Sequence, residues 1–185
     1  MNRRDAISTV AMLLGGTLIN TDAFAFNLGK NVSGAVSLFS AKDIALLDEI
    51  AETIIPETNT PGAKAAKTGE FMTVMINDCY SSNNRNIFIK GITKVDEEAK
   101  SKFSKGFMDC SPQERKSLLT VLDAEQKEFT KQRKTHYFKI MKELTLLGYF
   151  TSEVGGTQQL VYVEVPGRYD ACIPYKKGDP VYLNP

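Results

Sequence analysis

The sequence is poor in the residues that most often build catalytic and metal sites. It contains one histidine, three cysteines and no tryptophan, and 23 basic residues are balanced by 22 acidic ones. A net charge of +1 gives no overall field that would attract nucleic acid or an anionic membrane. Three cysteines among 185 residues are too few for a disulfide-rich scaffold. His136 has no second histidine or spaced cysteine cluster near it, which argues against a metal site and favours a surface or boundary position.

Motifs for cofactor binding and nucleophilic catalysis are also missing. The sequence has no GxGxxG between a strand and a helix, no P-loop, no GxSxG and no CxxCH for haem attachment. The carboxylate runs Asp48-Glu49 and Asp96-Glu97-Glu98 fall on helix faces predicted to be solvated. An enzyme acting through Cys172 or His136 is the weakest hypothesis, because neither residue has a visible activating partner. We therefore predict a chain with no catalytic, cofactor-binding or metal site of its own.

The N-terminus has the features of an export signal. Arg3 and Arg4 precede a mildly apolar segment over residues 6–19, and Ala23-Phe24-Ala25 offers the small-x-small pattern of a signal-peptidase site. The apolar segment is shorter than the ~20 residues needed to span a bilayer, so residues 1–25 are interpreted as a cleaved signal. Adjacent arginines before a weakly hydrophobic, glycine-containing segment are typical of twin-arginine (Tat) signals. The residues after Arg4 depart from the usual Tat motif, and a Sec signal remains an alternative.

We interpret residues 26–39 as a linker and residues 40–185 as one helical domain. Ser40 with Asp43, and Ser111 with Glu114, are capping-box patterns that predict helix starts. Pro56 ends the first helix, and residues 56–63 form a turn-rich loop. Apolar residues at helical spacing predict five amphipathic helices. Their stripes are Ile44, Leu47, Ala51, Ile54 and Ile55; Phe71, Met72, Met75 and Cys79; Phe88, Ile92, Val95, Ala99 and Phe103; Leu118, Leu119, Leu122 and Phe129; and Phe138, Met141, Leu144 and Leu147.

The pattern changes after Gly155-Gly156. Residues 157–185 contain four prolines and four tyrosines and have no helical period. Alternating valines over residues 160–165 favour one short extended strand. The predicted fold class is therefore mainly α: a small bundle of about five helices with a long irregular C-terminal tail. Such a tail is expected to lie along its own domain or along a partner.

The three cysteines differ in their predicted settings. Cys79 continues an apolar stripe, so we expect a buried thiol. Cys110 and Cys172 lie in predicted loops with the freedom that disulfide geometry requires. We predict a Cys110–Cys172 bond that pins the tail to the bundle; closing a loop of about 60 residues would contribute roughly 3–4 kcal/mol.

Two segments together resemble a known family. The first is LLDEIAETIIPETNTPGAKAA, over residues 46–66, and the second is GYFTSEVGGTQQLVYVEVPGRYDACIPY, over residues 148–175. Both are similar to segments of the gluconate 2-dehydrogenase subunit 3 family, the small subunits of membrane-associated sugar and sugar-acid dehydrogenases. The resemblance covers about residues 40–185, with a variable middle, and its specific part is the C-terminal motif PGRYDACIPY.

The resemblance implies a non-catalytic small subunit that binds, stabilises and co-exports a large flavoprotein of the glucose–methanol–choline (GMC) type. FAD would be held by that large subunit, and a third, cytochrome c subunit with haem c often collects the electrons. The small subunit would carry the Tat signal for both chains and engage the Tat export machinery. The complex would be periplasmic and in some cases membrane-associated. The alternative is an independent periplasmic helical binding or structural domain with no flavoprotein partner.

Aromatic residues near and within the tail are the candidate contacts with such a partner, because aromatic side chains dominate binding energy where they are fully desolvated. Each of them has internal packing as its alternative, and internal packing is slightly favoured for the two residues at the helix end. The candidates are the aromatic residues Tyr149, Phe150, Tyr162, Tyr169 and Tyr175, together with Pro166 of the tail.

Overall fold

A computed structural model describes residues 38–165, 167, 172 and 174–182. The predicted signal at residues 1–25 and most of the linker lie outside these residues. The described chain is mainly helical, which confirms the predicted fold class. Its five α-helices are α1 (Ala41–Ile54), α2 (Thr68–Cys79), α3 (Ser82–Phe103), α4 (Pro112–Lys131) and α5 (Tyr137–Phe150). A 3₁₀ turn (Phe107–Asp109) precedes α4, and a π-helical turn (Gly155–Gln159) follows α5.

The predicted capping residues set the starts of α1 and α4. The Asp43 backbone N–H donates to the Ser40 hydroxyl at 3.3 Å, and the Ser40 N–H donates to the Asp43 carboxylate at 2.7 Å. Ser111 and Glu114 repeat this exchange at the start of α4, where Pro112 occupies the first helical position. These contacts satisfy backbone donors that have no partner inside a helix.

The core lies around α5, which packs against the other four α-helices. The predicted stripes of α1, α3 and α4 supply buried residues such as Leu47, Phe88 and Leu122. The buried face of α2 differs from the predicted apolar stripe. Met72 is buried as expected, but the next buried residue is Ile76, and Cys79 is exposed. The expected buried thiol at Cys79 is therefore wrong. Cys79 is the last residue of its helix, where the chain turns toward α3.

Carboxylates that were expected to be solvated instead join the elements of the bundle. Glu49 on α1 pairs with Lys64 at 2.8 Å and with Arg115 on α4. Arg115 also donates to the Phe107 carbonyl at 3.1 Å and to the Met108 carbonyl at 2.6 Å, so one guanidinium ties α1, the 3₁₀ turn and α4 together. Burial acts to raise the pKa of Glu49, but the hydrogen bonds and charges of Lys64 and Arg115 together outweigh it, so the pKa is lowered.

Two acidic residues of α3 have similar roles. Asp96 accepts the Phe107 N–H at 2.9 Å, which fixes the chain after α3. The Tyr137 hydroxyl donates a hydrogen bond to the Glu98 carboxylate at 2.8 Å, which joins α3 to the start of α5. Glu97 between them is exposed, as the predicted solvated face requires. The prediction is wrong for Asp96 and Glu98, because helical periodicity does not show which polar groups on a neighbouring element need a partner.

None of the helices in the described residues is long and apolar enough to cross a membrane.

Candidate partner-binding surface

The loop after α1 is organised around one carboxylate. Glu52 accepts the Glu57 N–H at 2.7 Å and the Lys64 N–H at 2.9 Å, so it closes the loop from both sides. Gly62 lies directly against this carboxylate, and a Cβ at that position would fall 2.3 Å from its Oε1 atom. The turn-rich loop predicted over residues 56–63 is therefore held by a side chain from the preceding helix.

The same loop is joined to the end of α5 and to the π-helical turn. Tyr149 is buried, at 1 % exposed, and its hydroxyl donates to the Pro61 carbonyl at 2.7 Å. The Thr60 hydroxyl donates to the Gln159 side-chain carbonyl at 2.8 Å. The two segments that carried the family resemblance are therefore neighbours in space. Tyr149 is a core residue, so burial removes it from the candidate partner contacts.

A compact turn after α5 directs the chain into the tail. The Ser152 hydroxyl donates to the Tyr149 carbonyl at 2.7 Å and accepts the Gly155 N–H at 3.0 Å. An ideal Cβ at Gly155 would lie 2.0 Å from the Tyr149 carbonyl oxygen, which belongs to the backbone and cannot rotate away. Only glycine fits at this point of the turn, and the start of the tail is fixed by it.

Five large apolar side chains are exposed among the described residues of the tail, and we call them the tail patch. Two segments of the tail lie side by side, because the Val161 N–H donates to the Val181 carbonyl at 2.9 Å. In the described residues they form only an isolated parallel bridge between Val161 and Tyr182, so the predicted strand over residues 160–165 does not form. The members of the tail patch are Tyr162 (52 % exposed), Val165 (79 %), Tyr175 (66 %), Val181 (60 %) and Tyr182 (44 %).

The structure separates the remaining candidate contacts. Tyr162 and Tyr175 are exposed, while Phe150 is half-buried and lines a groove of about 570 Å³ together with Leu160, Pro180 and Val181. Pro166 and Tyr169 lie outside the described residues. Sequence reasoning missed Val165, Val181 and Tyr182. The sequence shows that these residues lie in an apolar segment without helical period. It does not show whether a valine in such a segment is exposed or buried, and the structure supplies that information.

His136 has a structural role that the sequence did not indicate. It is buried, and its Nδ1 atom accepts the Phe138 N–H at 3.3 Å, so its side chain caps the N-terminus of α5. The edge of its ring contacts Phe129, with ring centroids 4.9 Å apart. The predicted surface or boundary position is wrong, because a capping acceptor on the central helix takes this side chain into the core.

We expect His136 to make the stability of the chain depend on pH. Burial lowers its pKa below the ordinary value of 6.5. The unfolded chain therefore takes up the proton first as the pH falls, and stability is lost below about pH 6.5. Protonation of Nδ1 also removes the acceptor for Phe138 and places a positive charge at a helix N-terminus.

The His136→Asn variant isolates this effect, since asparagine can still accept the N–H but does not titrate. Urea unfolding at pH 7.5 and 5.5 should show a larger loss of stability for the natural chain than for the variant. Contributions of other groups cancel in this comparison. Equal losses in the two proteins would show that His136 does not carry the dependence.

All three cysteines are free thiols in the structure. Cys110 is buried, its thiol donates to the Gly106 carbonyl at 3.3 Å, and burial raises its pKa. Cys172 is exposed in the tail. The predicted Cys110–Cys172 bond is therefore not present in this structure, because the Cys110 side chain points into the core and satisfies its thiol there.

Within the part of the chain that the structure describes, no group of three or more histidine, cysteine, aspartate or glutamate side chains could hold a metal ion.

The comparison with protein families places most of the chain in a described family. The model described as gluconate 2-dehydrogenase subunit 3 matches residues 41–167, which include all five α-helices, the Glu52 loop and the first part of the tail. Searches of curated proteins and of solved structures find no match.

Proposed function

This chain belongs to the gluconate 2-dehydrogenase subunit 3 family, and from that membership we propose that it is the non-catalytic small subunit of an FAD-dependent oxidoreductase complex. The family's name denotes a subunit of a dehydrogenase complex. The proposed partner is a large GMC-type flavoprotein that oxidises a sugar or sugar acid. The proposed complex is periplasmic, and a cytochrome c subunit with haem c is a further proposed member.

The tail patch is the observation that supports partner binding most strongly. Five large apolar side chains from one segment are exposed, and the largest of them, Tyr162, Tyr175 and Tyr182, are of the type enriched in the buried centres of interfaces. The parallel bridge between Val161 and Tyr182 brings Tyr162 and Val181 into the same part of the surface, and grouped exposed apolar side chains mark interaction sites. The bundle itself leaves these residues exposed, so we propose that the large subunit covers them.

The rest of the chain supports this role by fixing where the tail begins. The Glu52 loop holds the end of α5 through Tyr149, and the Gly155 turn sets the direction in which the chain leaves the bundle. Because the first residues of the tail are already fixed, the tail has less conformational entropy to lose when it binds a partner. In this proposal the small subunit contributes position and surface, and the redox chemistry takes place on the FAD of the partner.

Co-export with the folded flavoprotein is the second part of the proposal. A flavoprotein must bind FAD before it crosses the membrane, and a twin-arginine route exports folded proteins. We propose that Arg3 and Arg4 provide the signal for both chains, so that the large subunit follows the small one out of the cytoplasm.

Replacing Arg3 and Arg4 by lysine tests the route. We expect both subunits, and the flavin absorbance of the large one, to remain in the cytoplasm when the two chains are expressed together. The control is a small subunit with its natural signal and with Tyr162, Tyr175 and Tyr182 changed to serine. It should reach the periplasm without the flavoprotein. Arrival of the large subunit in the periplasm without any small subunit would refute escorting, and export of the lysine variant would refute the Tat route alone.

A further inference from the structure

The tail contains an extended segment around Val161 and Tyr162, and the described residues show backbone pairing of Val161 along one edge of it. Val161 donates its N–H to the Val181 carbonyl at 2.9 Å and forms a parallel bridge with Tyr182. In an extended chain, the backbone groups of successive residues point to opposite edges. The N–H and C=O of Tyr162 therefore point away from the Val181 segment, toward an outer edge.

This outer edge has no partner among the residues that the structure describes. No hydrogen bond joins the Tyr162 N–H or C=O to any of them, and the Tyr162 side chain is 52 % exposed. On one side of Tyr162, the Leu160 N–H is already used, since it donates to the Gly155 carbonyl at 3.2 Å. On the other side the chain bends at Glu164. The open edge is thus short and centred on Tyr162.

We propose that this edge receives an extended segment of the large partner subunit by β-strand addition, in which Tyr162 exchanges both backbone hydrogen bonds with one residue of that segment. The inference rests on the proposed function. Covering the tail patch removes water from the Tyr162 backbone as well as from its ring. A buried backbone group without a hydrogen-bond partner costs free energy, so the covering surface must supply a donor and an acceptor.

An extended backbone supplies both groups at the spacing that Tyr162 requires. In an antiparallel pair, alternate residues exchange both of their hydrogen bonds with a single residue on the other strand. Strand addition also leaves the side chains of Tyr162 and Val165 available for pockets on the partner, which is how this mode of recognition combines affinity with specificity. A second copy of this chain could occupy the same edge, and the test separates that outcome.

The test compares proline and alanine at Tyr162. Both variants lose the ring, but only Tyr162→Pro loses the backbone N–H. Proline is compatible with the local conformation, because the preceding residue, Val161, is already extended and its own N–H is unaffected. The dissociation constant is measured with the purified large subunit. We expect about a tenfold increase for Tyr162→Ala and at least a further tenfold increase for Tyr162→Pro.

Lys177→Pro is the matched control for a proline elsewhere in the tail. The Asp179 N–H donates to the Lys176 carbonyl at 3.0 Å, and Gly178 has a φ of +102°, so Lys177 occupies the second position of a turn that accepts proline. This variant should bind within about twofold of the natural chain. In addition, the amide of Tyr162 should exchange its hydrogen more slowly in the complex than in the free chain.

Equal affinities of Tyr162→Pro and Tyr162→Ala would overturn the inference, and so would equal losses for Tyr162→Pro and Lys177→Pro. A natural chain that dimerises through this edge, with the dimer lost in Tyr162→Pro and partner binding unchanged, would assign the edge to a second copy instead. If the natural chain fails to bind the large subunit at all, the proposed function fails. If it binds and only the proline comparison fails, strand addition alone is wrong.

Discussion

Changing Tyr162, Val165, Tyr175 and Tyr182 of the tail patch to serine together is expected to weaken binding to the large subunit at least a hundredfold. Burying one large apolar side chain contributes about 1.5–3 kcal/mol, and each 1.4 kcal/mol is a factor of ten in affinity. Four such losses exceed two factors of ten even when they are far from additive. All four side chains are at least 44 % exposed in the free chain, so its thermal stability should stay the same.

The measurement is a titration of the large subunit with the natural and the variant chain, together with thermal unfolding of each chain alone. A matched control changes exposed apolar residues outside the tail, namely Val74, Met108 and Val121, to serine. The control should bind like the natural chain. Retained affinity in the tail variant would show that the tail patch is not the interface. A large loss of stability in that variant would show that the tail covers its own bundle.

Gly155→Ala should have the largest effect of any single change near the tail. The new Cβ would lie 2.0 Å from the Tyr149 carbonyl oxygen and 2.7 Å from the carbonyl carbon, and neither backbone atom can move without opening the turn. Forced overpacking of this kind costs about 3 kcal/mol or more. The hydrogen bond between Thr60 and Gln159 depends on the same turn, so we also expect the loop after α1 to loosen.

Urea unfolding of the isolated chain measures the cost of Gly155→Ala, and titration with the large subunit measures its effect on the tail. Gln158→Ala is the control, because Gln158 is an exposed residue of the same π-helical turn. The control should change stability by less than about 0.5 kcal/mol. A Gly155→Ala chain as stable as the control would mean that the turn adopts another conformation than the one described.

The helices could be predicted from the sequence because their signals are local. Ser40, Asp43, Ser111 and Glu114 are fixed by capping contacts within three residues, and the apolar stripe of α3 needs only helical spacing. The error at His136 has two causes. Its cap to the Phe138 N–H is local, but histidine is not among the residues preferred at helix N-caps. The contact of its ring with Phe129 of α4 depends on how two helices pack, and the neighbouring residues do not indicate it.

The candidate surface was predictable only in outline. A proline- and tyrosine-rich segment without helical period indicates an irregular tail, and the structure confirms that character in the residues it describes. Which aromatic residues remain exposed depends on three-dimensional packing: Tyr149 is buried against the Pro61 loop, whereas Tyr162 and Tyr175 are not. The carboxylates could not be assigned from the sequence for the same reason. Whether Glu49 is solvated or paired depends on the position of Arg115 on another helix, and the local pattern around Glu49 does not indicate that position.

Whether this chain is the small subunit of a flavoprotein complex is tested by capturing it from the periplasm of cells that express both chains, and by recording the mass and the absorbance spectrum of the captured material. We expect a complex of this chain with one large subunit and with the absorbance of bound FAD. We also expect this complex to oxidise a sugar or sugar acid, and the small subunit alone not to do so. Capture of the small subunit as a monomer without flavin, or sugar oxidation by the purified small subunit, would contradict this proposal.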